Sequence, residues 1–215
     1  MKKYISIILC LILCISLASC GGKTDETETA KELTESYMQL VKNFDLEGIS
    51  DVTANRDFRY VNEKLAILPD QVMEMVKSWA GNMEYEIGDV SLEELTGVAN
   101  IKIKYTDATE VMRAASLVYM AKTSNMMGSD GFEGWLSGPG GGPKKTDSEK
   151  LSSEIDAFLY QCIADAVESE GLGTMEKTIP VELVKYQGEW KIKNLSMDIF
   201  NVLTSNAFIL SQEEQ

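Results

Sequence analysis

The chain has 215 residues, 34 acidic against 20 basic side chains, a formal net charge of −14 and no histidine. Such an acidic surface repels phosphate backbones, so nucleic acid is excluded as a partner. The missing imidazole rules out His-based triads, His metal ligands and imidazole acid–base catalysis.

The chain opens with Lys2 and Lys3, and Tyr4 to Leu17 carry no charge. That apolar run is shorter than the ~20 residues that cross a bilayer, and it ends in small residues as a secretory leader does. Its last residues, Leu17, Ala18, Ser19 and Cys20, resemble the lipobox of bacterial lipoproteins at every position. The resemblance implies cleavage before Cys20, a diacylglycerol on its sulfur, and a chain held to the outer face of the cell membrane. Two acyl chains suffice for stable anchoring, whereas one does not. Residues 1–19 are thus expected to be a signal peptide. The chain from Cys20 keeps 18 basic against 34 acidic side chains, a net charge of −16. Cys10 and Cys14 leave with the leader and Cys20 carries lipid, so Cys162 has no disulfide partner.

"GGKTDETETA" is small, charged and aperiodic, and 20–29 is expected to be a flexible tether. A single domain over 30–210 follows. Helical periodicity begins at Ala30, with Leu33, Tyr37, Leu40, Val41 and Phe44 on one stripe. A short turn of helix is expected at "DLEGISDV". In "LPDQVMEMVKSWAGN", Pro69 and Asp70 start a helix and Gly81 stops it, with Val72, Val76 and Trp79 on one face.

The period then switches to two. Pairing Ile87 with Ile101 sets Tyr85 against Ile103 and Met83 against Tyr105. The same register sets Glu86 against Lys102 and Glu84 against Lys104 on the other face, so one register satisfies both. A second hairpin turns at Gln187–Gly188, pairing Leu183 with Ile192, Val184 with Lys191 and Glu182 with Lys193. Both hairpins have an apolar and a charged face, which predicts a sheet covered on one side. Pro180 calls for an edge or a bulge. "SMDIFNVLTSNAF" is expected to close the domain as a short helix.

Between the hairpins, 107–173 reads as a two-helix insertion. One helix starts near Asp107. The other carries Leu151, Ile155, Phe158, Leu159, Cys162, Ile163, Ala166 and Val167 on its apolar side, with Thr146 or Asp147 as cap and Gly171 as stop. The long glycine-rich connector between them is either functional or mobile. Its "GPGGGPKKT" has Pro143 where a phosphate-binding loop needs glycine. The fold class is therefore α+β: N-terminal helices packed on a curved antiparallel sheet, with a two-helix insertion between hairpins.

"ETAKELTESYMQLVKNFDLEGI" and "VELVKYQGEWKIKNL", with Gly188, Trp190 and Ile192, resemble the nuclear transport factor 2-like fold. They are similar to small lipoproteins of Gram-positive bacteria. The resemblance implies a cone between sheet and helices that holds ligands, isomerase and dehydratase chemistry, or binding alone.

Trp79, Tyr85, Tyr105 and Trp190 are the candidate ligand-binding residues, lining the cone for an apolar or peptide-like ligand. Filling of the core by these aromatics is the competing reading. Neither catalytic residue nor metal ligand nor cofactor site is expected: acidic clusters lack ligand spacing, and Cys162 sits on an apolar stripe. The expected function is a non-catalytic, membrane-anchored binding or interaction module. The alternatives are an enzyme using a buried carboxylate of raised pKa, or an envelope protein docking a partner through the helical insertion.

Overall fold

The computed structural model describes residues 26–126 and 145–208. The leader, Cys20 and residues 127–144 of the glycine-rich connector lie outside the described residues. The elements are α1 (Glu26–Lys42), α2 (Leu46–Val52), α3 (Arg59–Ala66), α4 (Asp70–Gly81), β1 (Glu84–Leu92), β2 (Thr96–Asp107), α5 (Thr109–Met126), α6 (Lys145–Glu170), β3 (Gly173–Tyr186), β4 (Glu189–Ile192) and α7 (Met197–Leu203). The strands form one antiparallel sheet in the order β1-β2-β3-β4. The protein is α+β, with helices before the sheet and a helix pair between its two hairpins.

Alternation sets the sheet. Ile87 faces Ile101, Tyr85 faces Ile103, Glu86 faces Lys102 and Glu84 faces Lys104, as the sequence predicts. The turn, however, lies at Glu93–Leu95. The register shifts between Ile87 and Val90, so Gly88 and Asp89 together oppose Asn100. This bulge keeps Val90 and Leu92 on the core side past the extra residue. Gly88 is needed there, because a Cβ would stand 3.0 Å from the Asn100 carbonyl oxygen.

The second hairpin also has the expected pairs. Gln187 and Gly188 both have positive φ, 53° and 88°, as a two-residue hairpin turn requires. Strand β3 begins at Gly173, where the expected insertion ends, and pairs continuously with β2. Strand β4 covers only the last part of β3, from Leu183 onward. The Lys193 N–H donates to the Glu182 oxygen at 2.8 Å, so even-numbered residues of β3 turn their backbone groups away from β2. Pro180 therefore places its missing donor on the uncovered edge, and the edge expectation holds without a bulge.

The helices pack on the dry face. α1 starts at Glu26 rather than Ala30, so the expected tether is shorter by one turn. Glu26 and Glu28 suit the positive end of the helix, and the Lys185 ammonium binds the Glu26 carboxylate at 2.8 Å. Its deepest residues are Ala30, Thr34, Tyr37, Met38 and Val41, while Leu33, Leu40 and Phe44 pack against them at the margin. The helix ends with Phe44 at φ 55°. Phe44 N–H then reaches the Val41 oxygen and Asp45 N–H the Leu40 oxygen, the hydrogen-bond pair of a left-handed helix stop. α4 has the expected bounds and buries Val72, Val76 and Trp79. α3 has no counterpart in the sequence reading; only Val61 and Leu65 mark its inner side. In the insertion, Val111, Ala115, Cys162, Ile163 and Ala166 join the common core. Gly171, at φ 74°, follows the end of α6.

Candidate functional site

The inner face of the sheet is filled rather than hollow. Trp79, Tyr105 and Trp190 all belong to the one apolar core, and Tyr85 packs at its margin. The expected aromatic wall around a single cavity is therefore corrected. Tyr85 ties sheet to helix: its hydroxyl donates to Glu35 at 2.7 Å and accepts from Gln39 at 2.6 Å. Burial first, then the Glu35 carboxylate, pushes its phenol above the ordinary 10.0. Tyr105 donates to the Met175 sulfur at 3.0 Å.

The end of the sheet near Tyr105 is closed by a polar plug. After α7, Ser205 and Asn206 adopt positive φ, 52° and 60°, which turns the Asn206 amide inward. That amide donates to Asp107 at 2.9 Å and lies 3.4 Å from the Tyr105 hydroxyl. Asp107 also accepts from the Thr109 N–H at 3.2 Å and the Thr109 hydroxyl at 2.6 Å, capping α5. Burial pushes Asp107 up, but these hydrogen bonds outweigh it and hold its pKa below the ordinary 3.8. The sequence placed no carboxylate on the inner face. Asp107, two residues beyond Tyr105 on β2, ends that face and stays ionised.

Space for a ligand lies at the periphery. A groove of about 570 Å³ runs between α1 and the β3–β4 hairpin and is lined by Glu26, Glu32, Leu33, Lys185, Glu189 and Trp190 among others. Lys185 organises it. Its ammonium binds Glu26 and lies 5.6 Å from the Trp190 ring centre, and the two residues face each other across the hairpin. The Trp190 indole nitrogen is buried without a hydrogen-bond partner, near enough to Glu26 to help hold that carboxylate ionised. Lys185 contributes most to lowering Glu26 below its ordinary 4.5. Three carboxylates against one ammonium leave the groove net acidic.

Trp79 lies elsewhere, lining a shallow groove of about 440 Å³ with Gln71, Glu74, Met75, Ser78 and Tyr160. A third cavity, about 290 Å³, sits where β4 leaves the edge of β3; Tyr37, Pro180, Glu182, Asn194 and Asp198 are among its walls. The Tyr37 hydroxyl beside it is fully buried without a partner, and burial pushes its phenol above 10.0. Tyr85 and Tyr105 line none of the three. Among the described residues, no group of three or more His, Cys, Asp or Glu side chains could hold a metal ion.

Sequence reading missed Glu26, Lys185, Tyr37 and Asn206. Lys185 was accessible, because a two-residue turn at 187–188 sets it opposite Trp190. Glu26 was assigned to the tether, and nothing local marks Asn206.

No family model, curated protein or solved structure matches this chain.

Two substitutions probe these assignments. Asp107→Ala removes the α5 cap and strands the Asn206 amide, and should lower stability at pH 7 by about 1 kcal/mol for this partly exposed group. The folded pKa is depressed, so this stabilisation is present above the unfolded value of 3.8 and is lost as pH falls through the folded pKa. Urea titrations should show the wild-type and variant curves converging below pH 3.8. Tyr37→Phe removes a buried hydroxyl with no partner, so it should be neutral or raise stability by up to about 1 kcal/mol. A loss of that size in thermal denaturation would instead mark an interaction with bound water or ligand.

Proposed function

We propose that this protein is a lipid-anchored, extracytoplasmic binding module that recognises basic, peptide-like ligands at the groove between α1 and the β3–β4 hairpin. The anchor rests on Leu17-Ala18-Ser19-Cys20 at the end of a charged-then-apolar leader. The domain is read as nuclear transport factor 2-like, on the strength of helices preceding hairpins and the Gly188-x-Trp190-x-Ile192 turn and strand. The observation that carries the binding site is the Lys185–Glu26–Trp190 cluster in the groove between α1 and the β3–β4 hairpin. The Trp190 ring, largely buried but already within reach of the Lys185 ammonium, and the surrounding carboxylates suit an ammonium or guanidinium group. The purely apolar ligand expected from an aromatic cone has less support, because those aromatics fill the core.

An enzymatic role would use an inner-face carboxylate held protonated. Asp107 is displaced the opposite way, and among the described residues the other carboxylates with displaced values, Glu26 and Asp57, also lie low. One observation favours docking through the insertion instead: Leu117, Val118 and Met120 on α5 are exposed.

The anchor is tested by Cys20→Ala, which should leave an unprocessed precursor without lipid in mass spectrometry. A mature wild-type chain cut elsewhere and unmodified would end that reading. For the groove, a tetralysine peptide titrated against the domain should perturb tryptophan fluorescence, while tetraglutamate should not. Glu32→Gln with Glu189→Gln should weaken the lysine peptide about tenfold, and added salt should weaken it further. Equal responses to both peptides would remove the groove and leave α5 as the docking surface.

A further inference from the structure

We propose that the end of the domain formed by the start of α1 and the tips of both hairpins rests on the bilayer surface, with Leu95 and Tyr186 as its contacts. The proposal rests on the reading of Cys20 as the lipid site and gives the anchored domain an orientation.

Three distant parts of the chain meet at this end, and one residue joins them. The Lys185 backbone N–H donates to the Leu95 carbonyl at 2.9 Å, and its ammonium binds Glu26 at 2.8 Å. The β1–β2 tip, the β3–β4 tip and the first residue of α1 are thus neighbours. Six Cα steps separate Cys20 from Glu26. Even fully extended they span no more than about 20 Å. A lipid on Cys20 therefore keeps this end within that distance of the membrane, whatever path the six steps take. The opposite end of β3, at Thr174, lies twelve residues from Tyr186, about 40 Å at the rise of a strand.

The side chains at the tethered end fit the environment. Leu95 is 61% exposed and Tyr186 52% exposed, both on hairpin tips. Tyrosine is favoured at the head-group level, where its ring meets apolar chain and its hydroxyl meets water. Glu93, Glu94 and Glu189 flank the two contacts and are exposed. An anionic leaflet repels such a tip, so a zwitterionic surface is the one it fits. The groove beside Trp190 lies at the same end, so its ligand is met close to the membrane.

The test uses the full-length protein produced in a bacterial host and reconstituted in phosphatidylcholine vesicles. A fluorophore is placed at Glu94→Cys or, as the distal control, at Thr174→Cys; Cys162 is buried and should stay unlabelled in the folded protein. Quenching by nitroxide-bearing lipid should be about threefold or more stronger at 94 than at 174. Leu95→Ala with Tyr186→Ala should weaken quenching at 94 by about twofold or more, toward the level the tether alone allows. Equal quenching in the unsubstituted background overturns the proposal, as does quenching at 94 that the double substitution leaves unchanged. Mass spectrometry of the same sample separates the two readings. A chain bearing lipid with equal quenching loses only its orientation, whereas a chain without lipid on Cys20 overturns both.

Discussion

The structure depends on one row of side chains. Ala99, Ile101 and Ile103 on β2 are completely buried, and Tyr105 continues the row. β2 is bordered by strands on both sides, so its alternation dictates theirs. Ile101 has Ile87 on one side and Ile179 on the other. A slip of one residue would turn Lys102 and Lys104 into the core, a cost far above what any turn preference could offset. The bulge at Gly88–Asp89 is a consequence: β1 carries one residue too many for its turn, and the surplus is expelled where glycine permits close approach. The ion pairs on the wet face, such as Lys102–Glu176 and Lys193–Glu182, follow from the same register and add little by themselves.

The row runs out beyond Ile103. Its neighbours on β3 are then Lys177 and Met175 rather than aliphatic residues. Lys177 binds Asp198 on α7, and Met175 meets the Tyr105 hydroxyl. The chain completes this end with Asn206 held in a left-handed turn, its backbone N–H on the Asn201 oxygen. This end of the sheet is closed by a polar group with its hydrogen bonds made. Burying Asn206 costs little because Asp107 accepts from its amide. The three cavities described lie at the periphery of the fold.

What was legible in the sequence is what local pattern determines. The hairpin registers, α4 with its Pro69–Asp70 start, and the inner side of α6 from Ile155 to Val167 all follow from periodicity and turn chemistry. α3 was missed because only two of its eight residues, Val61 and Leu65, are buried, too short a pattern to read. The start of α1 was missed because the bond that secures it joins Glu26 to Lys185, 159 residues away. The aromatic wall failed for a different reason. Tyr105 and Trp190 do share a sheet face, as alternation says, but their partners on β3 are Met175 and Lys185. Ten residues of strand separate those positions by about 33 Å. Alternation assigns a face and says nothing of distance along it.

That separation gives the two ends of the sheet different characters. The Tyr105 end is closed by neutral and ionic hydrogen bonds within the chain. The Trp190 end is held by one lysine that serves three partners: the Leu95 carbonyl through its backbone, and the Glu26 carboxylate and Trp190 ring through its ammonium. Glu26 is the first residue of α1 and remains largely exposed, so the ion pair that fastens it is weak and exchangeable. A basic ligand in the proposed groove competes with Lys185 for that carboxylate. Exchange would leave the backbone bond to Leu95 intact and loosen only the first turn of α1, where the chain leads back toward Cys20. Under the proposed function, occupancy of the groove and the bond that fastens the first turn of α1 would draw on the same carboxylate.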